Sequence, residues 1–294
     1  MTTSTVTQQE ILSQPQVWRR ALTSDIDVPA FGETGERVLF LGCGTSAFVA
    51  ESIAELRERA GHGISDAGYA SEWTPQRVYD RIVVISRSGT TSEVLQVLAQ
   101  VPDGTATTAI VGVASSPVAQ AAGDVLVLDY ADERSVVQTR FPTTVLLLAR
   151  RAFGESVEHL PRQAEEALAR EAAVSAADFS HFVFLGRWWT YGLAQEAALK
   201  IREAAQAWSE SYPSLDYRHG PIAVAHDDTL VVVFGERDPN LERDIQRTNA
   251  TVVCEDLDPL VQLARAQSLA ADLAAARDAV TESTANLSAM LVAH

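Results

Sequence analysis

Two cysteines among 294 residues leave little room for thiol chemistry. Cys43 and Cys254 are far apart and share no metal-ligand spacing, and usage this sparse fits a reducing, cytoplasmic compartment. Basic side chains are also scarce: 23 Lys and Arg face 39 Asp and Glu, for a formal charge of -16. Phosphate backbones and anionic membranes demand a Lys/Arg surface, so neither nucleic acid nor membrane is an expected partner. A small anion stays allowed, because backbone donors and helix termini hold it locally against an unfavourable overall field. No apolar run approaches the ~20 residues of a membrane helix. The polar start Met1-Thr2-Thr3-Ser4-Thr5 has no basic-then-apolar signal pattern. No G-x-G-x-x-G turn offers a dinucleotide site and no ligand cluster offers a metal site, so no cofactor is expected. With only 11 prolines and 47% hydrophobic residues, the chain reads as globular with a large core.

What is abundant is hydroxyl-rich turns behind buried strands. Ile82-Val83-Val84-Ile85 runs into Ser86-Arg87-Ser88-Gly89-Thr90-Thr91, and a helical pattern opens at Ser92. Free backbone N–H groups and the positive end of a helix dipole then meet at one spot, and Ser86, Ser88 and Thr91 add donors. Gly89 permits close approach of a ligand. A second such turn follows Val38-Leu39-Phe40-Leu41, in Gly42-Cys43-Gly44-Thr45-Ser46. Two anion-type turns point to a phosphorylated small molecule, with Gly44, Thr45 and Ser46 joining the binding set. Cys43, between two glycines, reads as a small packed residue.

Short apolar strands at 38–41, 82–85, 108–112 and 125–129 alternate with helical patterns near 46–60, 91–100, 116–122 and 142–152. Such alternation implies α/β architecture with a parallel sheet covered on both faces. A second round follows: a strand at 182–185, a helix from about Tyr191 to Trp208, a loop, strands at 230–234 and 250–253, and a last helix at 261–277. The expected division is an N-terminal helical segment (1–30) interrupted or restarted at Pro15, a first domain (31–154), a connecting helix (155–178) and a second domain (179–294). Leu41-Gly42 and Leu185-Gly186 open both halves alike, which hints at internal duplication. Only the first half keeps the S-x-S-G-x-T clamp.

The ordered set G-C-G-T-S, S-R-S-G-T-T, E-A-A-L-K-I-R-E and Y-R-H-G-P resembles the double sugar-isomerase-domain (SIS) proteins, among them the isomerase half of glucosamine-6-phosphate synthase. Glu10-Ile11-Leu12-Ser13-Gln14-Pro15 looks like that family's opening helix, and the likeness runs to Asn286-Leu287. The run from Glu133 to Arg140, E-R-S-V-V-Q-T-R, looks more like the AgaS-type branch of amino-sugar-phosphate isomerases and deaminases. The resemblance implies two flavodoxin-like three-layer SIS domains and a homodimer with shared active sites. The chain opens directly on the sugar-isomerase region, so no glutaminase domain is expected. The synthase's C-terminal lysine has Ala289 in its place, which favours isomerisation or deamination over synthase activity.

Aldose–ketose interconversion needs a group that opens the sugar ring and a carboxylate that moves a proton between C1 and C2. Glu196, Lys200 and Glu203 fall on one helix face at i, i+4 and i+7, a spacing that equally suits an ordinary solvated ion pair. By resemblance Glu203 is the proton-transfer glutamate and Lys200 its charged neighbour. His219, sixteen residues further on, precedes Gly220-Pro221, a turn that fixes its direction. An imidazole suits ring opening; the resemblance has it reach into the neighbouring subunit's site. Glu133 resembles a sugar-contacting glutamate, with Val136 in the same run; a loop-surface charge is the alternative. Arg87 either adds charge to the phosphate site or points outward. The expected activity is ketose–aldose interconversion of (amino)hexose 6-phosphates, with a non-catalytic sensor and a deglycase of amine–sugar-phosphate adducts as alternatives.

Overall fold

The computed structural model describes residues 5–26 and 29–277, so the Asn286–Ala289 stretch lies outside the described residues. The chain divides into two compact units, each an α/β body. The first comprises Gln16–Arg134 and Arg140–His159; the second takes the chain up to Pro15, Ser135–Thr139, and everything from Leu160 on. Among the described residues no helix is long and apolar enough to cross a membrane.

Helix α1 (Val6–Thr23) opens the chain and supplies residues to both units. It runs straight through Pro15, contrary to the expected interruption. Proline removes the N–H that would bond to Ile11 O, four residues back. Here Gln14 Nε2 donates to that carbonyl instead, at 3.1 Å, so the break is repaired by a side chain.

In the first unit, β1 (Val38–Gly42), β2 (Ser65–Tyr69), β3 (Arg81–Ser86), β4 (Ala106–Val111) and β5 (Asp124–Val127) form one parallel sheet. Its order is β2-β1-β3-β4-β5. Strands β1 and β3 are buried at every position, as central strands covered on both faces must be. Helices α2 (Thr45–Arg59), α3 (Ser92–Gln100), α4 (Pro117–Ala121) and α5 (Arg140–Ala152) supply the cover. Leu39, Leu41, Ile82, Val84, Ala109 and Val111 pack on one face with Val94, Val97 and Val118 from α3 and α4. Strand β2, Ser-Asp-Ala-Gly-Tyr, was not expected. It sits at the sheet edge with largely uncovered side chains, so backbone pairing to β1 holds it rather than apolar alternation.

The second unit repeats the plan with fewer strands. After α6 (Leu160–Leu168) come β6 (His181–Gly186), α7 (Trp189–Ala205), β7 (Trp208–Pro213), β8 (Thr229–Val233), α8 (Pro239–Gln246), β9 (Thr251–Val253) and α9 (Pro259–Ala276). The sheet is parallel, in order β7-β6-β8-β9. The expected connecting helix over 155–178 is confined to α6 and one short turn at Ala176–Asp178. Helix α7 ends at Ala205, because Gln206 is left-handed (φ 50°) and returns its N–H to Ile201 O. That reversal feeds β7, which occupies what was expected to be loop. Its polar sequence hid it, as with β2.

Candidate functional site

In an open parallel sheet, ligands bind beyond the carboxyl ends of the strands where the strand order reverses. In the first unit that point lies between β1 and β3, the two strands that end in the anion-type turns. Gly42 closes β1 against α2: a Cβ there would stand 2.5 Å from Ser46 C and 2.6 Å from Ser46 Cβ. Gly44 caps α2 in a conformation (φ 53°, ψ -125°) that ordinary side chains avoid, and Thr45 and Ser46 are buried behind it. Cys43 is a packed thiol. Burial, then the nearby Glu93 carboxylate, push its pKa up to about 11, so it is protonated at neutral pH.

The turn after β3 is a hydroxyl network. Ser86 Oγ and Thr91 Oγ1 lie 2.9 Å apart, as do Ser88 Oγ and Thr90 Oγ1. Gly89 donates its N–H to Ser86 O (3.1 Å) and Oγ (3.2 Å). Its positive φ (66°) and the collision a Cβ would make with the Ser116 side chain leave no residue but glycine there. Helix α3 then begins without a side-chain cap, so its N-terminus is not closed by the protein's own side chains. Thr90 and Ser116 are members of this turn that the sequence pattern had not singled out; only tertiary packing brings Ser116 to Gly89.

Arg87 does not point outward: only 19% of its side chain is exposed. Its Nη1 donates to Asp132 Oδ1 (3.2 Å) and Glu133 O (2.6 Å), tying the turn to the loop after β5. Glu133 is buried rather than a loop-surface charge. Its carboxylate accepts the Arg140 N–H (2.8 Å) and the Phe141 N–H (3.3 Å), at the N-terminus of α5 where the helix dipole favours negative charge. Val136 is half-exposed on the adjoining segment, which belongs to the second unit.

In the second unit the stripe on α7 is no solvated ion pair. Lys200 and Glu196 are each 1% exposed. Lys200 Nζ lies 2.5 Å from Glu203 Oε2 and 3.3 Å from Glu196 Oε1, so one ammonium serves two carboxylates. Next to it, Arg202 donates to Ser209 O (3.0 Å) and Oγ (3.2 Å), and burial holds its pKa below the usual guanidinium value. Desolvating such a cluster costs about as much as its attraction returns, so it is poor evidence of a device for stability. Glu203 keeps 15% of its side chain exposed, against 1% for Glu196. His219 lies in the loop after β7, exposed, its backbone N–H donated to Asp216 O at 2.8 Å. Among the described residues no group of His, Cys, Asp and Glu is placed to hold a metal ion.

Residues 34–150 match the SIS domain family. The isomerizing glutamine–fructose-6-phosphate aminotransferase of Methanothermobacter thermautotrophicus is 31% identical over 252 residues, which cover 79% of this chain and 42% of that protein. That of Acidithiobacillus ferridurans is 31% identical over 280 residues, with 80% and 45% covered. The chain thus spans less than half the length of these relatives. Glucosamine-6-phosphate deaminase from Thermotoga maritima superposes with a TM-score of 0.83 at 25% identity, covering 95% of this chain and 97% of that one. Tagatose-6-phosphate ketose/aldose isomerase from Escherichia coli has the same fold: TM-score 0.81, 20% identity, 95% and 96% covered. Residues 34–150, with the hydroxyl-lined switch point between β1 and β3, thus form a SIS domain, and the chain is homologous to the isomerizing aminotransferases over the part of them that it matches.

Proposed function

We propose that the protein interconverts ketose and aldose forms of a hexose or amino-hexose 6-phosphate, with release of ammonia where the substrate carries an amine. The observation that carries this reading is the buried Glu196–Lys200–Glu203 cluster on α7. A protein that only bound sugar phosphate would need the hydroxyl turn and no such arrangement. The names of its relatives, an isomerizing aminotransferase and a glucosamine-6-phosphate deaminase, support the same chemistry.

In this reading the phosphate rests on the Ser86–Thr91 turn and the open N-terminus of α3, with Gly44, Thr45 and Ser46 alongside. His219 protonates the ring oxygen as the ring opens. Glu203, in contact with the ammonium of Lys200, removes the C2 proton of the aldose. An enediol or enolamine forms, and the same carboxyl returns the proton to C1. When C2 bears nitrogen, the product is a ketimine that water hydrolyses to ketose and ammonia. Glu133 and Val136 are further substrate contacts in this reading. The active species is a homodimer in the cytoplasm, and His219, exposed on its loop, completes the site of the second copy.

General acid–base groups typically contribute 10²–10⁴-fold, so Glu203→Gln should lower turnover of a hexose or amino-hexose 6-phosphate by about that factor while leaving its affinity nearly unchanged. Solvent deuterium should enter C2 of the aldose in the wild type and not in the variant. Mixed Glu203→Gln and His219→Ala subunits should recover part of the activity. Tight binding by the wild type with no proton exchange in any such sugar phosphate would establish a sensor instead.

A further inference from the structure

Helix α7 stops at Ala205, two residues after Glu203, where Gln206 turns left-handed. Glu203 therefore stands in the last turn, where a helix has the fewest backbone bonds to hold it and frays first. A carboxylate that must meet one particular carbon of a substrate is poorly served by a fraying turn. Something has to hold it.

Across the reversal, Ser209 on β7 ties that turn down. Its Oγ donates to Ala198 O at 2.6 Å and accepts from Arg202 Nη1 at 3.2 Å. Its carbonyl oxygen accepts from the same Nη1 at 3.0 Å. Ala198 and Arg202 are about one helical turn apart, with Lys200 between them and Glu203 directly after. One serine on a neighbouring strand thus grips both ends of the turn that carries the ion pair. Ser209 and Ala198 are buried, and although part of Arg202 is exposed, both bonds from its Nη1 end on Ser209. Strand alternation sends the next side chain, Glu210, to the opposite face, where it accepts from Trp208 Nε1 and Tyr212 OH, each at 3.2 Å.

The same brace places a charge. Burial lowers the Arg202 pKa, and the Glu203 and then the Glu196 carboxylates act against that, so the guanidinium lies within electrostatic reach of both. Together with Lys200, two cations then face two carboxylates.

We propose that Arg202 and Ser209 are positioning residues: their hydrogen bonds across the α7–β7 reversal hold the last turn of α7, and with it the Glu203 carboxylate beside Lys200, in the geometry that proton transfer needs. The assignment rests on the sugar-phosphate reading above and extends it to residues that touch no substrate.

Steady-state kinetics on fructose 6-phosphate and glucosamine 6-phosphate, with solvent-deuterium exchange at C2 of the latter, tests this. Ser209→Ala removes both bonds of the hydroxyl and should lower kcat and the C2 exchange by about ten- to a hundredfold, with KM nearly unchanged. Arg202→Ala should do the same, whereas Ser209→Thr, which keeps a hydroxyl, should retain turnover. Amide hydrogen exchange at Glu203, Ala204 and Ala205 should quicken in Ser209→Ala and not in Ser209→Thr, a readout that needs no substrate. Unchanged kcat in both alanine variants, or a loss carried by KM instead, would overturn the positioning role alone. Unaltered amide exchange in the last turn of Ser209→Ala would overturn it as well. A wild type that turned over neither sugar phosphate would overturn the functional reading, and this role with it.

Discussion

The two units open on the same corner and then use it differently. Gly44 in the first stands at φ 53°, ψ -125°, and Trp188 in the second at φ 53°, ψ -130°. Each precedes a helix and follows a strand that ends in a glycine, Gly42 or Gly186, which no side chain can replace. This shared geometry gives the hinted internal duplication a structural basis. At the next strand the units part. After β3 a hydroxyl turn leads into α3, whose N-terminus has no side-chain cap. After β8 Asp238 caps α8 itself, accepting from the Asn240 N–H (2.9 Å) and the Leu241 N–H (3.1 Å). A carboxylate supplied by the chain occupies the helix end where an anion would otherwise sit. One unit thus leaves this helix end without a side-chain cap, and the other closes it with its own carboxylate.

The largest effect tests what the corners share. Gly42→Ala and Gly186→Ala should each destabilise the protein by about 3 kcal/mol, since each Cβ meets backbone of the following helix. Urea denaturation measures this, and a mild effect at only one of the two would break the equivalence.

A smaller effect tests where they differ. Its two backbone hydrogen bonds, first that from Leu241 and then that from Asn240, hold the Asp238 carboxyl below the usual carboxylate range. A depressed folded value means that the stabilisation is complete above the unfolded carboxylate's pKa of about 4 and is lost as the pH falls through the lower, folded value. Wild type should therefore exceed Asp238→Ala in melting temperature at neutral pH, with the gap closing in acid. A gap independent of pH would assign the cap to something other than charge.

The smallest concerns Trp188, a bulky residue in a conformation suited to glycine, 48% exposed with the Arg187 guanidinium 4.2 Å from its ring centroid. Trp188→Gly relieves backbone strain and gives up the cation–π contact, for a net change within about 1 kcal/mol of zero. A large loss by thermal denaturation would mean that the indole packs as a structural element.

Sequence by itself determined the repeated strand–turn–helix order, the clustering of hydroxyls after β3, and the i, i+4, i+7 stripe on α7. Each rests on local spacing, which needs no knowledge of what packs against it. The edge strands β2 and β7 escaped because pairing to one neighbour through the backbone leaves no mark on side-chain pattern. Whether the Lys200 stripe was solvated or buried, whether Arg87 pointed out to solvent or packed against Asp132, and whether Glu133 stood on the loop surface or bonded the start of α5 were decided only in three dimensions. A charged side chain takes its role from its nearest counter-charge or free amide, and for Arg87 and Glu133 those partners lie elsewhere in the chain: residue 132 for the one, residues 140 and 141 for the other. Even for the stripe, whose partners are local, it was tertiary packing that withdrew Lys200 from water.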